Sequence, residues 1–168
     1  MKKTLLSILA ILLVAGAAIA MKPAGETDKS HDAKKVKVPP APYAQWLIAQ
    51  ATTAHPSVKT VEIVSDVEGV CCTIAASEAD EIGELCGGDE GDPMESDSVL
   101  VEAPTREDPV YEITFALHDA HGGVVGALSM EIVPGEMNRT QVLDLAETVR
   151  ADMEAKIDDR SDLFAPAR

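Results

Sequence analysis

The sequence predicts an α+β domain, an antiparallel β-sheet with helices packed on one face. Three observations predict it. Tyr111 to His118 alternates apolar and polar residues, turn residues follow at Asp119-Ala120-His121-Gly122-Gly123, and Val124 to Ile132 returns as a partner strand. Segments 43–54 and 138–157 carry apolar stripes at spacings of three and four, the signature of amphipathic helices. Three further strand-like runs, 58–65, 70–76 and 98–102, are joined by short turns and one short helical segment. Such connections suit antiparallel neighbours better than parallel crossovers.

The first helix spans 43–54. Pro42 suits its first turn, Tyr43, Trp46, Leu47, Ala51 and Ala54 form its stripe, and the His55-Pro56 step ends it. In 58–65, Val61 and Ile63 alternate with Thr60 and Glu62, and Asp66 to Gly69 turns the chain. Val70 to Ala76 is nearly all apolar, which predicts a central strand covered on both faces. Ser77-Glu78-Ala79-Asp80 has capping-box spacing, so a short helix is expected through Leu85, ended by Gly87-Gly88. Residues 77–97 hold nine carboxylates and no Lys or Arg, and read as a solvated acidic loop beyond that helix. Gly91 and Pro93 occupy positions where a calcium loop starting at Asp89 needs oxygen side chains. Ser98 to Glu102 is a short strand, and 103–109 is a Pro- and charge-rich loop. Asn138 or Thr140 caps the last helix, whose stripe is Val142, Leu145 or Ala146, Val149, Met153 and Ile157. Leu163-Phe164 is a candidate final packing contact.

The N-terminus reads as an export signal. Met1-Lys2-Lys3 is basic, Leu5 to Val14 is apolar, and Ala18-Ile19-Ala20 has small residues where a signal peptidase cuts. The expected organisation is a signal peptide at 1–20, a disordered tether at 21–41 ending in Pro39-Pro40-Ala41-Pro42, and a domain at 42–168. No second apolar run of membrane length follows, so a soluble periplasmic or secreted product is expected. Composition agrees: 46% of the residues are hydrophobic and only 3% aromatic, which suits a globular domain rather than full disorder.

Net charge is −15, and loss of Lys2 and Lys3 with a signal peptide takes it to −17. Such a surface repels nucleic-acid phosphates and anionic lipid heads, so neither is an expected partner. In an oxidising compartment Cys71, Cys72 and Cys86 allow one internal bridge. Neighbouring strand residues point to opposite faces, so Cys86 would pair with Cys71 or with Cys72, not both. Three buried free thiols are the alternative.

The strand 70–76, the segment Ser77–Leu85 carrying Ile82-Gly83, and the hairpin Leu117-His118-Asp119-Ala120-His121-Gly122-Gly123-Val124-Val125-Gly126 together resemble the extracytoplasmic PAS-like sensor domains called Cache or PDC domains. The resemblance covers most of 43–160. It implies a five-stranded antiparallel sheet with flanking N- and C-terminal helices, and a small-metabolite pocket between the sheet and the 77–110 segment. No ligand-recognition pattern carries over with it.

No catalytic motif stands out. Gly-x-Ser-x-Gly is absent, a Cys72 pair with His118 or His121 lies in an acidic setting unsuited to a thiolate, and the two histidines across a turn are a weak metal pattern. The expectation is a non-catalytic domain with neither cofactor nor metal, binding an unidentified small metabolite. The alternative is a structural or protein-interaction module whose pocket is filled by its own side chains. Ser77, which ends a strand, Tyr111, which opens one beside the covering loop, and His118 are the candidate ligand-binding residues.

Overall fold

Val58–Val67 (β1) and Val70–Ala76 (β2) form an antiparallel hairpin at one side of a five-stranded sheet. In this computed structural model, which describes residues 34–167, the other strands are Val99–Glu102 (β3), Tyr111–His118 (β4) and Val124–Ile132 (β5). The sheet order is β2-β1-β5-β4-β3, every pair antiparallel. The expected signal peptide and the tether up to residue 33 lie outside the described residues. None of the described helices is long and apolar enough to cross a membrane.

One face of the sheet carries the large apolar side chains. Val61, Ile63, Ile74, Ile113, Phe115, Leu117, Leu128, Met130 and Ile132 are all buried there. Pro42–Ala54 (α1) and Arg139–Glu154 (α3) cover them. Tyr43, Leu47, Ile48 and Ala51 of α1 and Val142, Ala146, Val149 and Met153 of α3 are the buried stripe positions. Each buried Val, Leu, Ile or Met side chain contributes about 1.5–3 kcal/mol by leaving water. Asn138 caps α3: its Oδ1 accepts from the Gln141 N–H at 3.1 Å, and Gln141 Oε1 accepts from the Asn138 N–H at 2.9 Å. A closing 3-10 turn, Arg160–Phe164, buries Leu163, and the Ala165 carbonyl accepts from the Tyr43 N–H.

Several sequence expectations need correction. β2 is an edge strand, not a central one. Its apolar run is explained by a cover over its edge, made by residues 83–86. Gly83 N–H donates to the Thr73 carbonyl, Thr73 N–H to that of Glu84, and Cys86 N–H to that of Cys71.

The helix expected over 77–85 does not form. Ser77 Oγ, the intended cap, instead accepts the Val61 N–H of the neighbouring strand at 2.9 Å. Gly83 sits at φ +91°, and a Cβ there would meet the Val36 carbonyl oxygen at 2.4 Å. Edge pairing therefore overrides a segment whose four carboxylates disfavour a helix by mutual repulsion.

The acidic stretch read as a loop contains a helix, Gly88–Ser96 (α2). Gly87 and Gly88 begin it rather than ending another. Asp89 and Glu90 face the positive end of its dipole, Glu90 Oε2 accepts the Gly87 N–H at 2.8 Å, and Asp97 ends it at φ +51°.

Finally, the helices are not confined to one face. α2 lies against β4 and β5, and Met94 Sδ is 3.9 Å from Cys71 Sγ. Cys71 points away from the apolar face, so α2 occupies the opposite one.

The domain also begins earlier than residue 42. Lys35 pairs with Glu84, Val36 N–H donates to the Gly83 carbonyl, and Val36 and Val38 pack on the core. Residues 35–38 thus add a further strand-like layer beyond the β2 edge.

Candidate functional site

The second face of the sheet is small and polar where the first is large and apolar. The register sets Ala76, Glu62, Ser129, Thr114 and Leu100 in one row across the five strands. A second row holds Thr73, Val64, Ala127 and Ala116. On the apolar face, a Cβ on Gly126, opposite Leu117, would lie 2.1 Å from the Val64 carbonyl oxygen. Thr114 Oγ1 donates to Ser129 Oγ at 3.2 Å, and Thr73 Oγ1 donates to Glu62 Oε2 at 3.3 Å. Ser65, on the apolar face in register with Cys72, satisfies its buried hydroxyl by donating Oγ–H to the Val125 carbonyl at 2.6 Å.

Glu62 is the unusual member. Burial pushes its carboxyl from an ordinary 4.5 up to about 8, and the charges of Glu81, Glu90 and Glu84 push the same way. The shift favours the neutral carboxylic acid at neutral pH, a group able both to donate and to accept. Glu81, on the covering segment, is also pushed up, first by burial and then by Glu78, Asp80 and Glu84. Its Oε2 is shielded from solvent and has no hydrogen-bond partner among the described residues. Such an arrangement costs stability, since a buried polar atom without a partner costs about 1–3 kcal/mol. Sequence reasoning missed Glu62 because it reads as the polar half of an alternating strand. The available signal was the pile of carboxylates in 77–97, which the fold brings over the same face.

The covering segment is tied down covalently. Cys71 and Cys86 form a disulfide, choosing between the two pairings that the sequence left open. Cys72 stays free and buried on the apolar face. Burial pushes its thiol up, Asp66 adding to the effect, which keeps it protonated at neutral pH.

The three residues singled out from the sequence do not meet. Ser77 is exposed, and its hydroxyl is used by Val61. Tyr111 is half-buried against the apolar core opposite Ile132. His118 stands at the far end of β4, about 23 Å from Tyr111 along the strand. Its Nδ1 is 2.9 Å from Glu154 Oε1, and its Nε2 is 3.0 Å from Asp97 Oδ1. Glu154 Oε1 also accepts the His118 backbone N–H and, at 3.3 Å, Arg150 Nη1. His118 thus ties β4 to α3 and to the end of α2.

Among the surface clefts formed by the described residues, three lie beside the helices or the covering segment. One of about 140 Å³ lies between α1 and α3, lined by Leu47, Gln50, His55, Asp152, Met153 and Lys156 among others. One of about 300 Å³ lies between 38–42, Gln45, Ile74 and Ile82, and one of about 340 Å³ between α2 and β3. None of the three is lined by Ser77, Tyr111 or His118. Among the described residues no three His, Cys, Asp or Glu side chains converge as metal ligands.

No family model and no curated protein matches the chain. Solved structures do. The inducer-binding domain of the PobR transcription factor from Acinetobacter, a double mutant in complex with 3-hydroxybenzoic acid, aligns with a TM-score of 0.50 at 12% identity, covering 69% of this chain and 95% of that one. A type II free methionine-R-sulfoxide reductase from Thermoplasma acidophilum aligns at 0.50 and 12% identity, covering 74% and 93%. The Agobacterium tumefaciens repressor BlcR aligns at 0.51 and 11% identity, covering 70% and 68%. At these identities the likeness establishes the α+β fold, which this chain shares with all three.

Proposed function

We propose that this chain is an exported, non-catalytic, sensor-like domain that binds a polar small molecule between the second face of the sheet and the covering segment 77–96. The observation that carries the reading is Glu62: a carboxyl held protonated on a small, polar sheet floor, beneath a segment that presents the unpartnered Glu81 Oε2. Neither feature stabilises the fold, and both suit a ligand bearing hydrogen-bond donors. The floor beside Glu62 is built of small and polar residues, Ala116, Ala127, Thr114 and Ser129. The fold match to a domain crystallised with a hydroxybenzoic acid supports the same reading, as does the resemblance to PAS-like sensors. Export is supported by the signal-like N-terminus and by the Cys71–Cys86 disulfide.

The test is a thermal-shift screen of the wild type and Glu62→Leu, which removes both the donor and the acceptor, against amines, amino acids, purines, organic acids and divalent metals. A ligand at about a hundred times its dissociation constant adds ~2.7 kcal/mol, a shift of several degrees. A hit that Glu62→Leu abolishes supports the site. A hit that survives unchanged moves the site elsewhere, and silence across the panel defeats the small-molecule reading.

A further inference from the structure

The two edges of the sheet are treated differently. The β2 edge is occupied by 83–86 and, beyond it, by Lys35-Val36. At the other edge, β3 pairs only with β4 among the described residues, and none of its backbone groups bonds to any other described segment. A row of unpaired N–H and C=O groups is a template for another strand, which proteins commonly blunt with Lys, Pro or a bulge. β3, Val99-Leu100-Val101-Glu102, has none of these, and Val99 is 46% exposed. Beside it runs the cleft of about 340 Å³ against α2, whose lining includes Asp89, Asp92, Glu95, Ser96 and Ser98. No Lys or Arg occurs between Ser77 and Thr105. The edge is thus apolar and open, and the acidic residues lining the adjoining cleft carry no cation among them.

The opposite edge shows what chemistry this sheet accepts. There an extended Lys35-Val36-Lys37-Val38 segment lies along Gly83-Glu84, with the Val36 N–H on the Gly83 carbonyl at 2.8 Å and Lys35 Nζ 3.4 Å from Glu84 Oε1. We propose that the β3 edge and the α2 cleft form a docking site for an extended basic segment of a partner protein, added as a sixth strand with its lysines or arginines toward Asp89, Asp92 and Glu95. Backbone hydrogen bonds give such a strand its affinity, and side chains in the cleft give it selectivity. The acidic flank steers a basic segment and repels an acidic one.

The probe is a synthetic peptide of alternating Lys and Val, with a Glu-Val peptide as control, added to the full chain and followed by fluorescence anisotropy and by backbone amide shifts. The Lys-Val peptide is expected to bind, to perturb Val99–Glu102, and to weaken at least tenfold as salt rises from about 0.05 to about 0.5 M. The double variant Asp92→Lys with Glu95→Lys, both exposed positions, is expected to weaken binding at least tenfold while leaving the melting temperature unchanged. The proposal is overturned by absence of binding, by equal binding of the Glu-Val peptide, or by full binding to the double variant. Shifts at Gly83–Cys86 in place of β3 overturn it too, as does self-association through β3 without peptide, which would make a second copy the occupant.

Discussion

Replacing Glu62 with Gln removes the one group whose protonation is most distorted by the fold, and the consequence depends on pH. Glu62 has an ordinary value of 4.5 and is held near 8 in the folded protein. Its folded value is raised, so the folded state binds its proton more tightly than the unfolded state does. Its contribution is fully present below about pH 4.5, declines by ~1.4 kcal/mol per pH unit between 4.5 and 8, and is gone above 8. The full span is on the order of 5 kcal/mol. Local opening of 77–96 relieves part of it, so a measured span of ~2–5 kcal/mol is the expectation. Gln is neutral throughout and nearly isosteric. Urea unfolding of both proteins, disulfide intact, at pH 5, 7 and 9 reads the effect of Glu62 with its coupled neighbours Glu81, Glu84 and Glu90, because titrating groups remote from Glu62 cancel in the difference. The two should be alike at pH 5, and Gln should be the more stable by about 2–3 kcal/mol at pH 7 and by more at pH 9. Parallel stability curves from pH 5 to 9 would refute the argument that the half-buried Glu62 sits beside carboxylates.

Three other expectations follow from the same geometry. Reducing the Cys71–Cys86 bridge, whose partners are 15 residues apart, should cost about 3 kcal/mol in chemical denaturation, and no change would show that the bridge does not form. Gly126→Ala should destabilise by about 1–3 kcal/mol, because the new methyl meets the Val64 carbonyl within a sheet that cannot shift one strand alone; an unchanged melting temperature would count against the β1–β5 register. Ser77→Ala should cost about 1 kcal/mol by leaving the Val61 N–H unpaired, while ligand-induced shifts stay as in the wild type. Loss of those shifts would return Ser77 to the binding site.

The features legible in the sequence were those set by local periodicity. Tyr111–His118 and Val124–Ile132 announce themselves by alternation, and Val142, Val149 and Met153 by helical spacing. What stayed hidden depended on distant partners. Nothing within Val70–Ala76 tells an edge strand from a central one, because residues 83–86 satisfy the edge and the bridge to Cys86 holds them there. The Ser77 box was overruled by an N–H sixteen residues away. Gly88–Ser96 offers Gly, Asp and Pro, poor helix formers, and gains its helix from acidic residues at its first turn and a buried Pro93. Glu62 was invisible for a related reason. An exposed-looking Glu in an alternating strand becomes a candidate binding residue only when the acidic segment folds over it.

That segment is under opposed forces, and their balance makes a testable coupling. Three backbone hydrogen bonds and a disulfide hold 83–86 to β2, while Glu81, Glu84 and Glu90 all oppose the charge on Glu62 beneath. With the disulfide intact, deprotonating Glu62 strains a cover that opens only in part. With it reduced, only hydrogen bonds worth about 1 kcal/mol each resist, so the segment lifts and Glu62 returns to water. Reduction and Glu62 ionisation should therefore be non-additive. The stability gap between the wild type and Glu62→Gln at pH 9, a few kcal/mol when oxidised, should shrink by half or more under reductant. An identical gap in both redox states would mean that the disulfide does not restrain the cover over Glu62, and would detach the covalent tie from the proposed site.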